Sequence, residues 1–149
     1  MRAVAQRVSS CRISVGEERI GEIRTGLLAL VGVARGDAAE DARQLAAKLV
    51  HLRVFPDEEG RMNRSLLECG GTLGIVSQFT LLGDCRRGRR PSYVEAAPPE
   101  EAERLIERLI AESRTLGADV VTGRFRAEMR VELCNEGPVT LLLDTRQII

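Results

Sequence analysis

Hydrophobic and polar positions change rhythm along this chain, and the changes separate strands from helices. From Ala3 to about Ala34 the apolar residues come in short alternating or β-branched groups, interrupted at Gly16, Gly21, Gly26 and Gly32. Alternation sends successive side chains to opposite faces, which suits half-buried strands joined by tight turns, so this region reads as a meander-like sheet. The period then lengthens. Ala42, Leu45, Ala46, Leu49 and Leu52 recur at three- and four-residue spacing, predicting a helix from about Ala38 to Arg53 with Asp37 as its N-cap and one apolar stripe turned to the sheet. Pro56 ends that element. Asp57 to Gly60, followed by Met62-Asn63-Arg64-Ser65, reads as a polar hairpin or loop, and Gly70-Gly71 as the turn before a strand from Thr72 to Thr80.

A second helix opens at Pro98-Pro99, where proline suits the first turn and Glu100, Glu101 and Glu103 suit the positive end of the helix dipole. Its stripe is Ala102, Leu105, Ile106, Leu109 and Ile110, and Gly117 lies just past its end. Three strand-like runs follow, Asp119 to Phe125, Glu128 to Cys134 and Val139 to Leu143. The order sheet, helix, sheet, helix, sheet predicts an α+β fold: a mixed, largely antiparallel β-sheet with two main helices packed on one face.

Composition narrows the function. A chain of 149 residues, 44% hydrophobic, makes one domain over residues 1–149 with a single core and no linker or repeat. Net charge is +0, so the chain as a whole is no polyelectrolyte, and any phosphate contact has to come from a local patch. No apolar run approaches the roughly 18 residues that span a bilayer. The start, with Arg2, Gln6 and Arg7, lacks the apolar centre of a secretion signal, so no membrane partner and a cytoplasmic location are expected. Cys11, Cys69, Cys85 and Cys134 form no C-x-x-C pair, and His51 is the single histidine. No metal site and no cofactor are expected, and the thiols read as reduced and mostly structural. His51 falls in a helical pattern between Val50 and Leu52, a packing or surface position. A hydrolase built on this chain would depend on His51, on carboxylates, or on backbone groups and the substrate itself.

Three segments carry candidate chemistry. Four arginines, Arg86, Arg87, Arg89 and Arg90, crowd the loop Gly83 to Tyr93. Their forked guanidinium groups match phosphate oxygens, which fits RNA or another phosphate-bearing ligand; a solvated loop paired with surface carboxylates is the alternative. Lys48 is the only lysine, so arginine is favoured throughout. Ser77-Gln78-Phe79-Thr80-Leu81 sets hydroxyls and an amide at the end of a strand that begins apolar. Where a ladder stops, freed N–H groups can hold a carbonyl or developing oxyanion, and Thr80 can bond a polar substrate atom. An edge strand with ordinary Ser and Thr is the other reading. Asn135-Glu136-Gly137-Pro138-Val139-Thr140 wedges a Gly-Pro step between two apolar runs. It is either a turn between strands or a rigid backbone device, since proline cannot donate to a ladder and X-Pro is the bond that adopts the cis form at low cost.

Taken together, Ser77-Gln78-Phe79-Thr80-Leu81 and Asn135-Glu136-Gly137-Pro138-Val139-Thr140 resemble the paired signature of the D-aminoacyl-tRNA deacylases. The likeness is collinear along the chain, through Met1 to Val8, Gly26-Leu27-Leu28, Val31-Gly32-Val33, Arg90-Pro91-Ser92-Tyr93, Thr122-Gly123, Phe125, Ala127 and Met129. The resemblance implies a homodimer acting on the 3′ end of aminoacyl-tRNA, in which a cis Gly137-Pro138 of one subunit enters the site of the other and rejects L-amino acids. It implies that the backbone at Gln78 and Phe79 holds the ester carbonyl, that Thr80 anchors the aminoacyl group and that Ser77 lines the site. It further implies that Phe125, Ala127 and Met129 flank the terminal adenosine and that Arg7 and Asn135 support the Gly-Pro turn. Catalysis in that family is RNA-assisted, through the adenosine 2′-hydroxyl, with glycyl-tRNA as a further substrate. The chain departs from the common pattern at Glu136, usually Asp; at Leu82, often aromatic; at Arg126, often Gly; and at Tyr93, often Phe. A tRNA-editing or RNA-binding accessory domain acting on another mischarged ester, and a non-catalytic dimeric module, remain open alternatives.

Overall fold

The computed structural model describes residues 1–149, and the strand β1 (Arg2–Val15) pairs with three others. The first half of β1 pairs antiparallel with β3 (Gly26–Gly32), from Arg2 opposite Gly32 to Val8 opposite Gly26, and its second half pairs with β2 (Glu18–Ile23). Along its other edge runs β8 (Arg130–Asp144), from Arg2 opposite Asp144 to Ser14 opposite Arg130. The sheet continues from β3 to β6 (Thr72–Ser77) and then β7 (Asp119–Thr122), both in parallel register. Parallel neighbours need long crossovers, and helices α1 (Ala39–His51) and α3 (Pro99–Thr115) lie in them. The order β2-β1-β3-β6-β7 curls until β2 touches β7, giving a nearly closed barrel. Gly21 marks that closure: a Cβ there would lie 2.6 Å from Val121 Cγ1. No helix is long and apolar enough to cross a membrane.

The core falls on both sides of the sheet rather than forming one body. Ala3, Ala5, Leu27, Ala29, Leu73 and Ile75 face α1 and α3, which contribute Leu45, Leu49, Ile106 and Leu109. Val8, Cys11, Ile13, Ile23, Leu28 and Val76 fill the barrel interior. β1 serves both layers by alternation, with Ala5 on one side and Val8 on the other, and the slip in its pairing with β8 between Val8 and Ser10 brings Cys11 and Ile13 to the side of Val8. Burial pushes the Cys11 thiol pKa up.

Several boundaries differ from the sequence reading. Asp37 is not the N-cap of α1; Ala38 is. The Asp37 carboxylate is held by a fully buried ion pair with the Met1 amino group at 2.9 Å, by the Ala34 N–H at 2.7 Å and by Arg146 at 2.9 Å. The expected strand Thr72 to Thr80 stops at Ser77, and Phe79–Leu82 turn into a 3-10 helix. The expected strand to Phe125 stops at Thr122. The runs on either side of Gly137-Pro138 are one strand, β8, with a register shift in its pairing to β1 between Gln6 and Val8. Besides the two main helices there is a short third, α2 (Leu66–Cys69), capped by Ser65, and the polar hairpin is a ribbon of β4 (Phe55–Pro56) with β5 (Met62–Arg64).

Candidate active site

At the end of β6 the parallel ladder with β3 runs out. Its last bond joins the Gln78 N–H to the Val31 carbonyl at 2.7 Å, and the chain then folds into the 3-10 turn. The first bond of that turn is from the Leu81 N–H to the Gln78 carbonyl at 3.2 Å, so the N–H groups of Phe79 and Thr80 precede it and are left for an outside acceptor. The Gln78 side-chain amide donates to Thr80 Oγ1 at 2.6 Å, which leaves the hydroxyl proton of Thr80 to bond a further group. Ser77, Gln78, Phe79 and Thr80 together form one wall of a cleft of about 660 Å³.

A second part of the lining comes from the connection between β7 and β8. Phe125, Ala127 and Met129 supply it, with Arg126 between them at a φ of 65°. Met129 folds back so that its sulfur accepts the Arg124 N–H at 3.4 Å. Gly123 permits this: a Cβ there would lie 2.6 Å from the Met129 sulfur. Ala96, Ala97 and Pro99, leading into α3, close the side. Arg126 is the single ionisable side chain among the lining residues. His51 is exposed at the end of α1, away from the cleft.

Gly137 and Pro138 do not line this cleft in their own chain. Their peptide bond is cis, and both residues are exposed. The turn is tied down from two sides. Arg7 donates to the Glu136 carbonyl at 2.9 Å and to the Val54 carbonyl at 2.6 Å. The Asn135 side chain spans the turn, accepting the Val139 N–H at 2.8 Å and donating to the Val139 carbonyl at 3.2 Å and to Thr140 Oγ1 at 3.0 Å. Every Asn135 amide atom is therefore used inside the turn, which keeps the Gly137 and Pro138 backbone fixed while it faces outward.

The arginine loop is a small arm on the rim of the cleft. Asp84 and Ser92 exchange backbone hydrogen bonds of 2.8 and 2.9 Å, and Gly88, with φ +72°, lies at the tip. Arg86 donates twice to the Asp84 carboxylate, at 2.9 and 2.8 Å, and holds its pKa down at about 2. Arg86 is thus engaged within the arm, whereas Arg87, Arg89 and Arg90 are exposed and have no acidic partner.

A family model described as D-Tyr-tRNA(Tyr) deacylase matches residues 4–144. The chain belongs to the D-Tyr-tRNA(Tyr) deacylase family. As a member of that deacylase family it is an enzyme, a hydrolase. It is 53% identical over 146 residues to a D-aminoacyl-tRNA deacylase of Heliobacterium modesticaldum, covering 98% of this chain and 97% of the relative. It is 57% identical over 145 residues to one from Roseiflexus sp., covering 97% and 94%. Among solved structures it is similar to the c-Myc DNA Unwinding Element Binding Protein, with a TM-score of 0.92 at 33% identity over 97% of this chain and 99% of that one. A probable eukaryotic D-amino acid tRNA deacylase shares the fold, with a TM-score of 0.78 at 19% identity over 95% and 97% of the two chains.

Within this deacylase fold the residues singled out from sequence divide into two groups. Ser77, Gln78, Phe79 and Thr80 meet Phe125, Ala127 and Met129 in one cleft, while Gly137, Pro138, Arg7 and Asn135 form a separate, outward-facing turn. Sequence reasoning missed the other lining residues, Val33, Val76, Ala96, Ala97, Pro99, Ala102 and Val131. They are small or apolar, and nothing in their spacing distinguishes a cleft wall from core.

Proposed function

We propose that the chain hydrolyses the ester of D-aminoacyl-tRNA, releasing the free D-amino acid and tRNA, and so proofreads chirality in translation in the cytoplasm. The observation that carries this reading is one cleft lined both by Phe79 and Thr80, whose N–H groups precede the first bond of the 3-10 turn, and by Phe125, Ala127 and Met129, with no acid, histidine or thiol among the lining residues. Such a site contributes donors and position rather than a protein base.

In the proposed mechanism the terminal adenosine lies beside Phe125, Ala127 and Met129, and the ester carbonyl points at the N–H groups of the 3-10 turn. Water adds to the carbonyl carbon, its proton being handled with the help of the adenosine 2′-hydroxyl. The oxyanion is stabilised by preorganised backbone donors, each of which can lower a barrier by about 3 kcal/mol. Collapse of the adduct breaks the bond to the ribose oxygen and frees the amino acid. Thr80, oriented by Gln78, anchors the aminoacyl group.

The exposed, tied-down Gly137-Pro138 turn supports a composite site. In this reading the protein is a homodimer, and the turn of one subunit enters the cleft of the other. Its fixed carbonyls leave no room for the side chain of an L-amino acid, while a D side chain points away and glycine has nothing to clash. Glycyl-tRNA, including glycine mischarged on tRNA(Ala), is then a second substrate.

Incubation with D-tyrosyl-, L-tyrosyl- and glycyl-tRNA, following ester loss, tests the activity: the D and glycyl esters are expected to disappear and the L ester to persist. Survival of the D ester, or equal loss of the L ester, overturns the reading. A D-aminoacyl-tRNA lacking the terminal 2′-hydroxyl is expected to be cleaved slowly, and full activity on it would sink the RNA-assisted step. Sedimentation gives the oligomeric state, and a monomer active at all concentrations would sink the composite site.

A further inference from the structure

The chain has four aromatic side chains, three Phe and one Tyr, and no tryptophan. Phe55 is buried in the core at 3% exposure. The other three gather at the cleft: Phe79 and Phe125 line it, and Tyr93 packs edge-on to Phe79 with ring centroids 5.0 Å apart and planes at 67°. Phe79 is 56% exposed and Tyr93 38%, a large apolar surface for a chain this poor in aromatics. In a T-shaped pair one ring retains a free face, and a free aromatic face beside cations is the arrangement that stacks an unpaired base.

The cations are the three unpartnered arginines of the arm. The arm connects at each end to a segment that lines the cleft, through the 3-10 turn of Phe79–Leu82 on one side and through Ala96-Ala97 on the other. Tyr93 is wedged against the arm's base, because a Cβ on Gly83 would lie 3.0 Å from Tyr93 Cε1. The Asp84–Arg86 pair neutralises the base of the arm and leaves the charge of Arg87, Arg89 and Arg90 at the tip. In a chain whose formal charge is +0, three unpaired cations at the tip of an arm whose base carries an exposed aromatic pair form a local complement to single-stranded RNA.

We infer that the Phe79–Tyr93 pair and the Arg87, Arg89 and Arg90 arm form a docking platform for the unpaired nucleotide that precedes the esterified adenosine, with its base stacked on the rings and its phosphates on the arginines. This rests on the deacylase reading and extends it from the terminal nucleotide to the next. Phe125, Ala127 and Met129 come from a different segment, the connection between β7 and β8, and in this proposal adenosine and platform use different parts of the cleft lining. The tyrosine acts through its ring, so phenylalanine serves equally well at this position.

The test compares D-tyrosyl esters of adenosine and of the trinucleotide CpCpA, and reads the gain in kcat/KM from the added nucleotides. Taking the ratio within each variant cancels any loss of folded protein. The wild type is expected to show a clear gain that weakens with salt. Tyr93→Ala should shrink the gain roughly 5- to 150-fold, the range of base–aromatic stacking, while Tyr93→Phe retains it. Changing Arg87, Arg89 and Arg90 together to Gln should lower the salt slope of the gain by about 0.7 for each phosphate contact removed. A wild type that hydrolyses both esters with no gain overturns the platform, as does an undiminished gain in Tyr93→Ala or in the arginine variant. A wild type that hydrolyses neither ester refutes the deacylase reading instead.

Discussion

Replacing Gly137 with alanine probes the outward-facing turn where its geometry is least tolerant. Gly137 has φ +141°, a region that side-chain-bearing residues occupy only at a cost of about 1–3 kcal/mol. A Cβ there would also lie 2.8 Å from Val139 Cγ2, 3.0 Å from the Val139 nitrogen and 3.1 Å from Arg7 Nη2. None of the three yields easily. Val139 is held by Asn135 on both its N–H and its carbonyl, and Arg7 is held by the carbonyls of Glu136 and Val54. Backbone and overlap together lead to an expected destabilisation of about 2–4 kcal/mol. Urea unfolding at one fixed protomer concentration measures it, because association would otherwise shift the apparent stability. A variant within about 0.5 kcal/mol of wild type would refute the geometric argument. If the proposed composite site holds, the same variant should lose discrimination between D and L esters, because its carbonyls are displaced. Unchanged discrimination in a destabilised variant would locate chiral rejection elsewhere.

Four further outcomes are expected. Thr80→Ala should lower kcat/KM by roughly 5- to 20-fold, the worth of one or two hydrogen bonds, and a fall to the uncatalysed rate would instead mark Thr80 as a nucleophile. The pH–rate profile should lack a histidine limb between about pH 5 and 8, with His51→Ala superimposing on wild type; a limb that disappears in that variant would contradict a site without a protein base. Arg126→Gly should raise stability by about 0.5 kcal/mol, since relief of about 1–2 kcal/mol from the left-handed backbone is partly offset by the entropy of glycine, and thermal melts that show a clear loss would refute this. For Asp41, burial opposes the charged form, yet the Thr145 hydroxyl, the Ala38 N–H and the positive charges of the Met1 amino group and Arg146 hold its pKa below the ordinary 3.8. A lowered folded-state pKa gives stability that is full above the unfolded value and is lost as pH falls through the folded one. The deficit of Asp41→Asn should therefore be constant above about pH 5 and shrink below about pH 4, and a constant deficit at all pH values would refute the assignment.

The elements most legible in the chain are those specified locally. The stripe of α3 and its proline start predict a helix that the structure places at Pro99–Thr115, because both signals act within a few turns. Ser77 to Thr80 could be read as a polar strand end because the switch from apolar to polar residues is itself local. What escaped depends on partners distant in sequence. Asp37 looks like a cap until the Met1 amino group is brought to it by β1, and β8 looks like two strands until its pairing with β1 shows that both halves lie on one edge. The cleft walls at Ala96 and Ala97 carry no chemistry of their own, so only the pairing of that segment with Val33 and Ala34, just beyond β3, reveals them. The relation between the Gly137-Pro138 turn and the cleft could be suggested only by resemblance, since in one chain the two do not meet.

The edge-on contact of Tyr93 with Phe79 also has a spectroscopic consequence. With no tryptophan and one tyrosine in the chain, near-ultraviolet emission comes from this single ring at the mouth of the cleft. The protein therefore carries its own site-specific reporter. A base stacking on the pair should quench it, while unfolding should alter it through loss of the Phe79 contact, so occupancy and integrity of the same few residues can be followed without any added label.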